Sequence, residues 1–285
     1  MNTILKWAGN KTALMPELTS YLPAGTRLVE PFAGSCAVMM GTDYPQYLVA
    51  DINPDLINLY LMIQKNHEAV IQIVRELFKD FNSDVQYYRV RQHFNCSIFN
   101  EVEKAAYFLY LNRHCYRGLC RYNLSGIFNV PYGNYKNPYL PETEIRAFAE
   151  KAQRATFICA SYDETLSLLQ VGDVVYCDPP YDGTFTAYHT AGFTEDDQYH
   201  LASILERRSS EGYPVIVSNS DTSLIHSLYR NFTRHRITAK RNMGVAAGDS
   251  KSAAEIIATK SACWFGVDLA SGRDIPVETE VRARQ

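Results

Sequence analysis

The sequence predicts an α/β protein with a doubly wound, mostly parallel sheet, interrupted by an inserted, mainly helical module that carries a β-hairpin loop. Three observations predict it. Apolar runs of strand length alternate with helical stretches at both ends of the chain. Between about residues 82 and 142 that rhythm stops and a polar, aromatic stretch rich in Asn, Tyr and Gly takes over. A small-residue turn follows the first strand and an acid closes the second, the arrangement of an open α/β ligand site.

The elements follow in order. Residues 13–22 read as a helix. Residues 27–32 read as a buried strand that ends in the turn Ala33-Gly34-Ser35. Residues 47–51 form a second strand, and Pro54 opens a helix near its first turn. Apolar and aromatic residues keep helical spacing over 103–111, and 112–139 reads as a loop or hairpin. The α/β rhythm resumes with central strands at 156–159, 173–177 and 214–218 and helical stretches at 164–169, 195–208 and 222–229. Residues 255–259 are a weaker strand candidate, and the apolar-poor tail is expected to be mobile. This divides the chain into a catalytic layer (1–56 and 145–270), an insertion (57–144) and a tail (271–285).

The 285 residues, 46% hydrophobic and 21% charged, are ordinary for a globular protein. No apolar run approaches the ~18 residues of a membrane span, and the N-terminus has no signal-peptide pattern. Cysteines at 36, 96, 115, 120, 159, 177 and 263 form no C-x-x-C pair. They read as reduced thiols in a cytoplasmic protein, with no metal expected. A net charge of -3 argues against a wholly basic nucleic-acid coat. Yet residues 104–141 hold Lys104, Arg113, Arg117, Arg121 and Lys136 and no acid, and 234–251 hold five more basic residues against Asp249. Two such segments suggest a local polyanion footprint; they also read as solvated faces.

Three motifs carry chemistry. Asp178-Pro179-Pro180-Tyr181 follows a strand directly and sets a carboxylate, rigid carbonyls and an aromatic ring at the sheet's carboxyl edge. An aromatic amine needs two acceptors, and a flat base needs an aromatic face. Alone, the tetrapeptide also reads as a strand-stopping turn. Glu30-Pro31-Phe32-Ala33-Gly34 precedes Asp51, an acid able to accept both hydroxyls of a ribose. There is no G-x-G-x-x-G, so the ligand is a nucleoside without a diphosphate, which fits S-adenosylmethionine (SAM). A plain β-turn and a helix cap at Asp51 account for these residues equally well. Leu5-Lys6-Trp7-Ala8-Gly9-Asn10-Lys11 offers an indole and two ammonium groups around a small-residue turn suited to an amino-acid carboxylate, or simply an anchored arm.

Taken together, these motifs resemble the Dam-type DNA adenine N6-methyltransferases of bacteria and phages, over about residues 4–260. Within the insertion, the segments 109–113, 118–124 and 128–131 look like that family's target-recognition segment. The resemblance implies a Rossmann-like SAM-dependent methyltransferase fold. It implies that Trp7, Lys11, Phe32, Gly34 and Asp51 line a SAM pocket, with Lys11 at the methionine carboxylate and Asp51 at the ribose. Asp178 would face both SAM and the target amine. Asp178 and the Pro179 carbonyl would receive N6, and Tyr181 would stack on an adenine flipped from double-stranded DNA. Arg121 would read guanine, Leu119 and Pro131 thymine methyls, and Lys6 another guanine. Tyr116 would wedge into the stack beside Arg117, and Asn123 and Tyr135 would support the DNA-facing surface. The implied target is GATC. The implied setting is a monomer in the cytoplasm of a bacterial or phage-infected cell.

Asn10, Arg117 and Asn134 depart from the family, which usually has Gly, Asn and a basic residue there. The loop from Tyr181 to the stretch 185–189 is also short. These changes bear on flanking preference and processivity more than on the reaction. The rival acceptors are cytosine N4, where Ser is usual at position 178, protein glutamine, where Asn is usual, and RNA. An inactive DNA-binding regulator is a rival of another class, opposed by the intact Lys11, Asp51 and Asp178.

Overall fold

A computed structural model describes residues 3–182, 192–240 and 252–261. The stretch 185–189, most of the second basic run and the tail 271–285 lie outside the described residues.

Among the described residues, seven strands form one sheet: β1 (Arg27–Glu30), β2 (Gln46–Asp51), β3 (Ala155–Cys159), β4 (Asp173–Cys177), β5 (Val215–Ser220), β6 (Thr233–Lys240) and β7 (Ser252–Lys260). Their order is β3-β2-β1-β4-β5-β7-β6. The first five run parallel, and β7 is antiparallel to both β5 and β6. The parallel core follows from composition: β4 and β5 are buried throughout, as strands covered on both faces must be. Alternation along β4 sorts its side chains. Val174 and Tyr176 join one apolar cluster, and Val175 and Cys177 join the other.

The helices are α1 (Met15–Leu18), α2 (Ala37–Gly41), α3 (Pro54–Asp80), α4 (Asp84–Cys96), α5 (Glu101–His114), α6 (Glu142–Ala152), α7 (Tyr162–Ser167), α8 (Glu195–Ser210) and α9 (Ser223–Leu228). Several starts are legible in capping chemistry. Asn53 accepts from the amides of Asp55 and Leu56 with Pro54 behind it, and Asn100–Glu103, Ser161–Glu164 and Thr194–Asp197 close capping boxes. The larger apolar cluster runs without a break from the sheet into α3, α4 and α5, so the inserted helices share the core of the sheet.

Three expectations need correction. The strand at 156–159, read as central, is β3 at one edge of the sheet, with Thr156 and Cys159 exposed. Residues 13–22 are not one helix but a short 3-10 turn, the four-residue α1 and a second 3-10 turn. Pro16 lacks an N–H and belongs in a first helical turn, so it starts a new helix inside the stretch. The first strand stops at Glu30, because Pro31 cannot continue a sheet ladder. The loop after α5 has the outline of a hairpin, closed by the isolated antiparallel bridges Cys115–Tyr132 and Tyr122–Phe128.

Candidate active site and nucleic-acid interface

The chain passes from β1 outward to β2 and β3, then returns to β4 on the other side of β1. The carboxyl edge between β1 and β4 is therefore the switch point at which open sheets form a ligand crevice. Glu30 ends β1, and Asp178 follows β4 directly at that edge.

The corner after β4 is braced from behind. Buried Gln198 of α8 donates to the Pro180 carbonyl at 2.8 Å. Asn219 of β5 donates to Gln198 Oε1 at 3.1 Å and accepts from the Asp182 amide at 3.2 Å. Lys11 Nζ reaches Asp178 Oδ2 at 2.7 Å, donates to the Gly9 carbonyl at 2.8 Å and lies 4.9 Å from the Tyr181 ring centre. Asp178 Oδ1 is buried and has no hydrogen-bond partner among the described residues. An unsatisfied buried acceptor is costly, and here it sits close to an aromatic ring at the carboxyl edge of the sheet. Burial pushes the Asp178 carboxyl above its ordinary 3.8, and the Lys11 ammonium, then the Tyr181 hydroxyl, oppose that shift. Neighbouring Glu30 is 2% exposed. Burial and then the Asp178 charge push its carboxyl up to about 8, so it is largely protonated at neutral pH.

On the cofactor side, the Gly34 amide donates to Asp51 Oδ2 at 3.1 Å, and the Asn53 amide donates to Asp51 Oδ1 at 3.0 Å. Gly34 has φ +46°, and a Cβ placed there would lie 2.8 Å from Trp7 Nε1. Glycine is needed for both reasons. Trp7, Gly34 and Asp51 are thus adjoining, and Lys11 meets Asp178. Phe32, two residues before Gly34 in the same turn, stacks on Tyr162 at 5.6 Å and lies edge-on to Phe193 at 5.8 Å. The Asn10 departure has a local use: its side chain caps the turn at the Thr12 amide (2.8 Å) and donates to Thr3 Oγ1 (2.7 Å).

The N-terminal arm is fastened to the insertion. Buried Asn112 accepts from the Lys6 amide at 2.9 Å and donates to the carbonyls of Lys6 (2.8 Å) and Gly118 (3.1 Å). Lys6 Nζ donates to the Arg113 carbonyl at 3.1 Å and lies 3.5 Å from the Tyr135 ring centre. Burial, then the Arg113 charge, lower the Lys6 ammonium to about 8. Gly118, at φ +66°, packs so closely that a Cβ would fall 2.1 Å from Lys6 Cβ. The loop therefore has Lys6, Tyr116, Arg117 and Tyr135 along one side. Tyr116 is 45% exposed, and the Arg117 guanidinium lies 5.2 Å from its ring. Leu119 is half-buried and Pro131 exposed.

Arg121 Nε donates to Asn129 Oδ1 at 2.7 Å, joining the two sides of the loop. Asn123 builds the loop tip: its Oδ1 accepts from the amides of Ser125 and Ile127, both at 3.0 Å. Arg117 and Asn134 both sit at left-handed φ, 54° and 55°. Asn adopts that region readily and Arg less so, which gives the family's Asn at the first position a backbone reason.

The basic footprint is narrower than the sequence suggests. Lys104 is paired with Asp55 at 2.7 Å, Arg113 is buried, and Arg236 is paired with Asp221 at 2.5 Å. Sequence reasoning placed Asn112 and Asn129 within the recognition segments without giving either a role, and missed Gln198, Asn219 and Glu255. Asn112 left one faint signal, a polar side chain within an apolar helical run.

A family model described as D12 class N6 adenine-specific DNA methyltransferase matches residues 7–243. The chain belongs to that family. The methyltransferase is 72% identical over 284 residues to the retron Ec67 DNA adenine methylase of Escherichia coli, covering 99% of this chain and 100% of the relative. It is 47% identical over 246 residues to the DNA adenine methylase of Serratia marcescens (84% and 91% covered). It is 45% identical over 260 residues to that of Escherichia coli K12 (89% and 93%). Membership sets aside cytosine N4, protein glutamine and RNA as acceptors, and with them an inactive regulator. Among the described residues, no helix of the methyltransferase is long and apolar enough to cross a membrane, and no group of three or more His, Cys, Asp or Glu could hold a metal ion.

Proposed function

We propose that the enzyme transfers a methyl group from SAM to N6 of an adenine flipped out of double-stranded DNA, within GATC. The observation that carries this reading is Asp178 Oδ1, buried and without a hydrogen-bond partner among the described residues, in a braced corner beside Tyr181. SAM supplies an electrophilic methyl on a sulfonium. The fit of a nucleoside donor rests on the Gly34 turn beneath Trp7 and on the Asp51 carboxylate at the end of β2. Residues 1–56 and 145–270 hold this site, and residues 57–144 read the DNA.

Each residue has a role in this reading. Asp51 takes the ribose hydroxyls, and Trp7, Phe32 and Gly34 wall the pocket. Lys11 takes the methionine carboxylate and, through its contact with Asp178, opposes the upward push that burial gives that carboxyl. The extruded adenine stacks on Tyr181. Asp178 and the Pro179 carbonyl accept the two N–H groups of N6, which turns its lone pair toward the donor pocket. The proton released from N6 passes to solvent after transfer. In the duplex, Arg121 takes the O6 and N7 edge of one guanine and Lys6 contacts another. Leu119 and Pro131 meet thymine methyls, and Tyr116 fills the gap left by the flipped base with Arg117 against it. Asn123 and Tyr135 support the loop, and exposed Lys136 meets phosphate. The enzyme acts as a monomer, in the cytoplasm of a bacterial or phage-infected cell.

The test is transfer of labelled methyl from SAM to duplexes carrying GATC or each single base-pair replacement. Label in N6-methyladenine of GATC alone is expected. Equal label in every duplex would overturn the sequence assignment.

A further inference from the structure

Tyr181 is braced from a strand that the motif itself does not contain. Its hydroxyl donates to Glu255 Oε2 at 2.8 Å across a sequence separation of 74 residues. Glu255 is 8% exposed and lies near the start of β7, opposite Ser220 of β5 and Ile237 of β6. Because β7 runs backwards, its beginning lies where the parallel strands end. The reversal delivers a carboxylate to the same edge as Asp178.

The geometry matters for a stacking ring. A tyrosine can rotate about two side-chain bonds, and a base placed on a tilting ring is poorly aimed. The Tyr181 ring is held at its far end by Glu255 and faced by Lys11 at 4.9 Å. Its backbone is fixed by the Gln198–Asn219 brace. A hydrogen bond to a buried carboxylate is stronger than one between neutral groups. Burial and the nearby acids hold the phenol well above its ordinary titration range, so it stays a donor.

We propose that Glu255 is a positioning residue that locks the plane of the Tyr181 ring for the extruded adenine. This rests on the base-stacking role given to Tyr181 above. Glu255 touches neither substrate nor donor, and a glutamine in its place keeps an acceptor for the hydroxyl. Tyr181→Phe keeps the ring and removes the same bond from the other side, together with the hydroxyl's contact with Asp178.

The test uses the full-length enzyme and a GATC duplex with 2-aminopurine in place of the target adenine, and single-turnover methylation of the ordinary duplex. Glu255→Ala and Tyr181→Phe are each expected to weaken the fluorescence rise on binding. Each should slow methyl transfer about tenfold, the worth of one charge-assisted hydrogen bond. KM for SAM should hold. Glu255→Gln should recover most of both signals, and the double variant Tyr181→Phe/Glu255→Ala should be no slower than Tyr181→Phe alone. Wild-type fluorescence and rate in Glu255→Ala and Tyr181→Phe, with both lost in Tyr181→Ala, would overturn the proposal and leave the stacking role standing. Both retained in Tyr181→Ala would overturn the stacking role and the proposal with it. If Glu255→Ala fails to fold, Tyr181→Phe and Glu255→Gln decide the matter.

Discussion

Asn112 grips the backbone of Lys6 on both sides, accepting from its amide at 2.9 Å and donating to its carbonyl at 2.8 Å. The residue after Lys6 is Trp7, which covers the cofactor turn at Gly34. The residue that Asn112 holds with its remaining N–H is Gly118, in the loop proposed to read bases. One buried amide therefore joins the proposed donor side of the site to the proposed DNA side.

Asn112→Ala leaves one amide and two carbonyls without this partner. Folding stability is expected to fall by about 1–3 kcal/mol, measured by denaturant unfolding. At temperatures where the variant is folded, KM for SAM should rise and selectivity for GATC should fall together. A change in only one of the two would show that arm and loop act separately.

Arg121 is aimed by Asn129 at 2.7 Å. Arg121→Ala should cost about 1–3 kcal/mol of discrimination at one base pair. Asn129→Ala should cost less at the same pair, since the guanidinium remains but swings. Competition between duplexes substituted at each position of GATC measures both. Unchanged selectivity in Arg121→Ala would exclude it as the guanine reader.

Glu30 gives a pH dependence with a definite sign. Its carboxyl is raised from 4.5 to about 8 in the folded protein. Between those values the folded state holds a proton that the unfolded chain has released. Stability therefore declines as pH rises through that window. Above it, a second buried negative charge stands beside Asp178. Glu30→Gln should flatten the decline and raise the melting temperature at pH 8 relative to pH 5, read from thermal unfolding at a series of pH values. An unchanged slope in Glu30→Gln would remove Glu30 as its cause.

The central strands were legible because strands buried on both faces read as unbroken apolar runs, as in Val174-Val175-Tyr176-Cys177. β6 was not, because Thr233–Lys240 is a polar edge strand with Ile237 as its large apolar residue. α4 had a readable signal in Tyr87, Val90 and Phe94, its buried residues. That spacing was masked by the polar residues around them. In the site, the acid-proline-tyrosine corner was legible because its chemistry is contiguous. Asn112 and Glu255 were not, because their partners lie 106 and 74 residues away and only folding brings them together. The contact of Lys11 with Asp178 was also unforeseen, since the two motifs were read separately.

The most direct test of the account is Asp178→Ala. DNA from cells expressing the wild-type enzyme or this variant is digested with two nucleases, one blocked by N6-methyladenine in GATC and one requiring it. Wild-type DNA should resist the first and be cut by the second. Asp178→Ala should reverse both results while the purified variant still binds a GATC duplex. Full protection of GATC by Asp178→Ala would contradict the role given to that carboxylate.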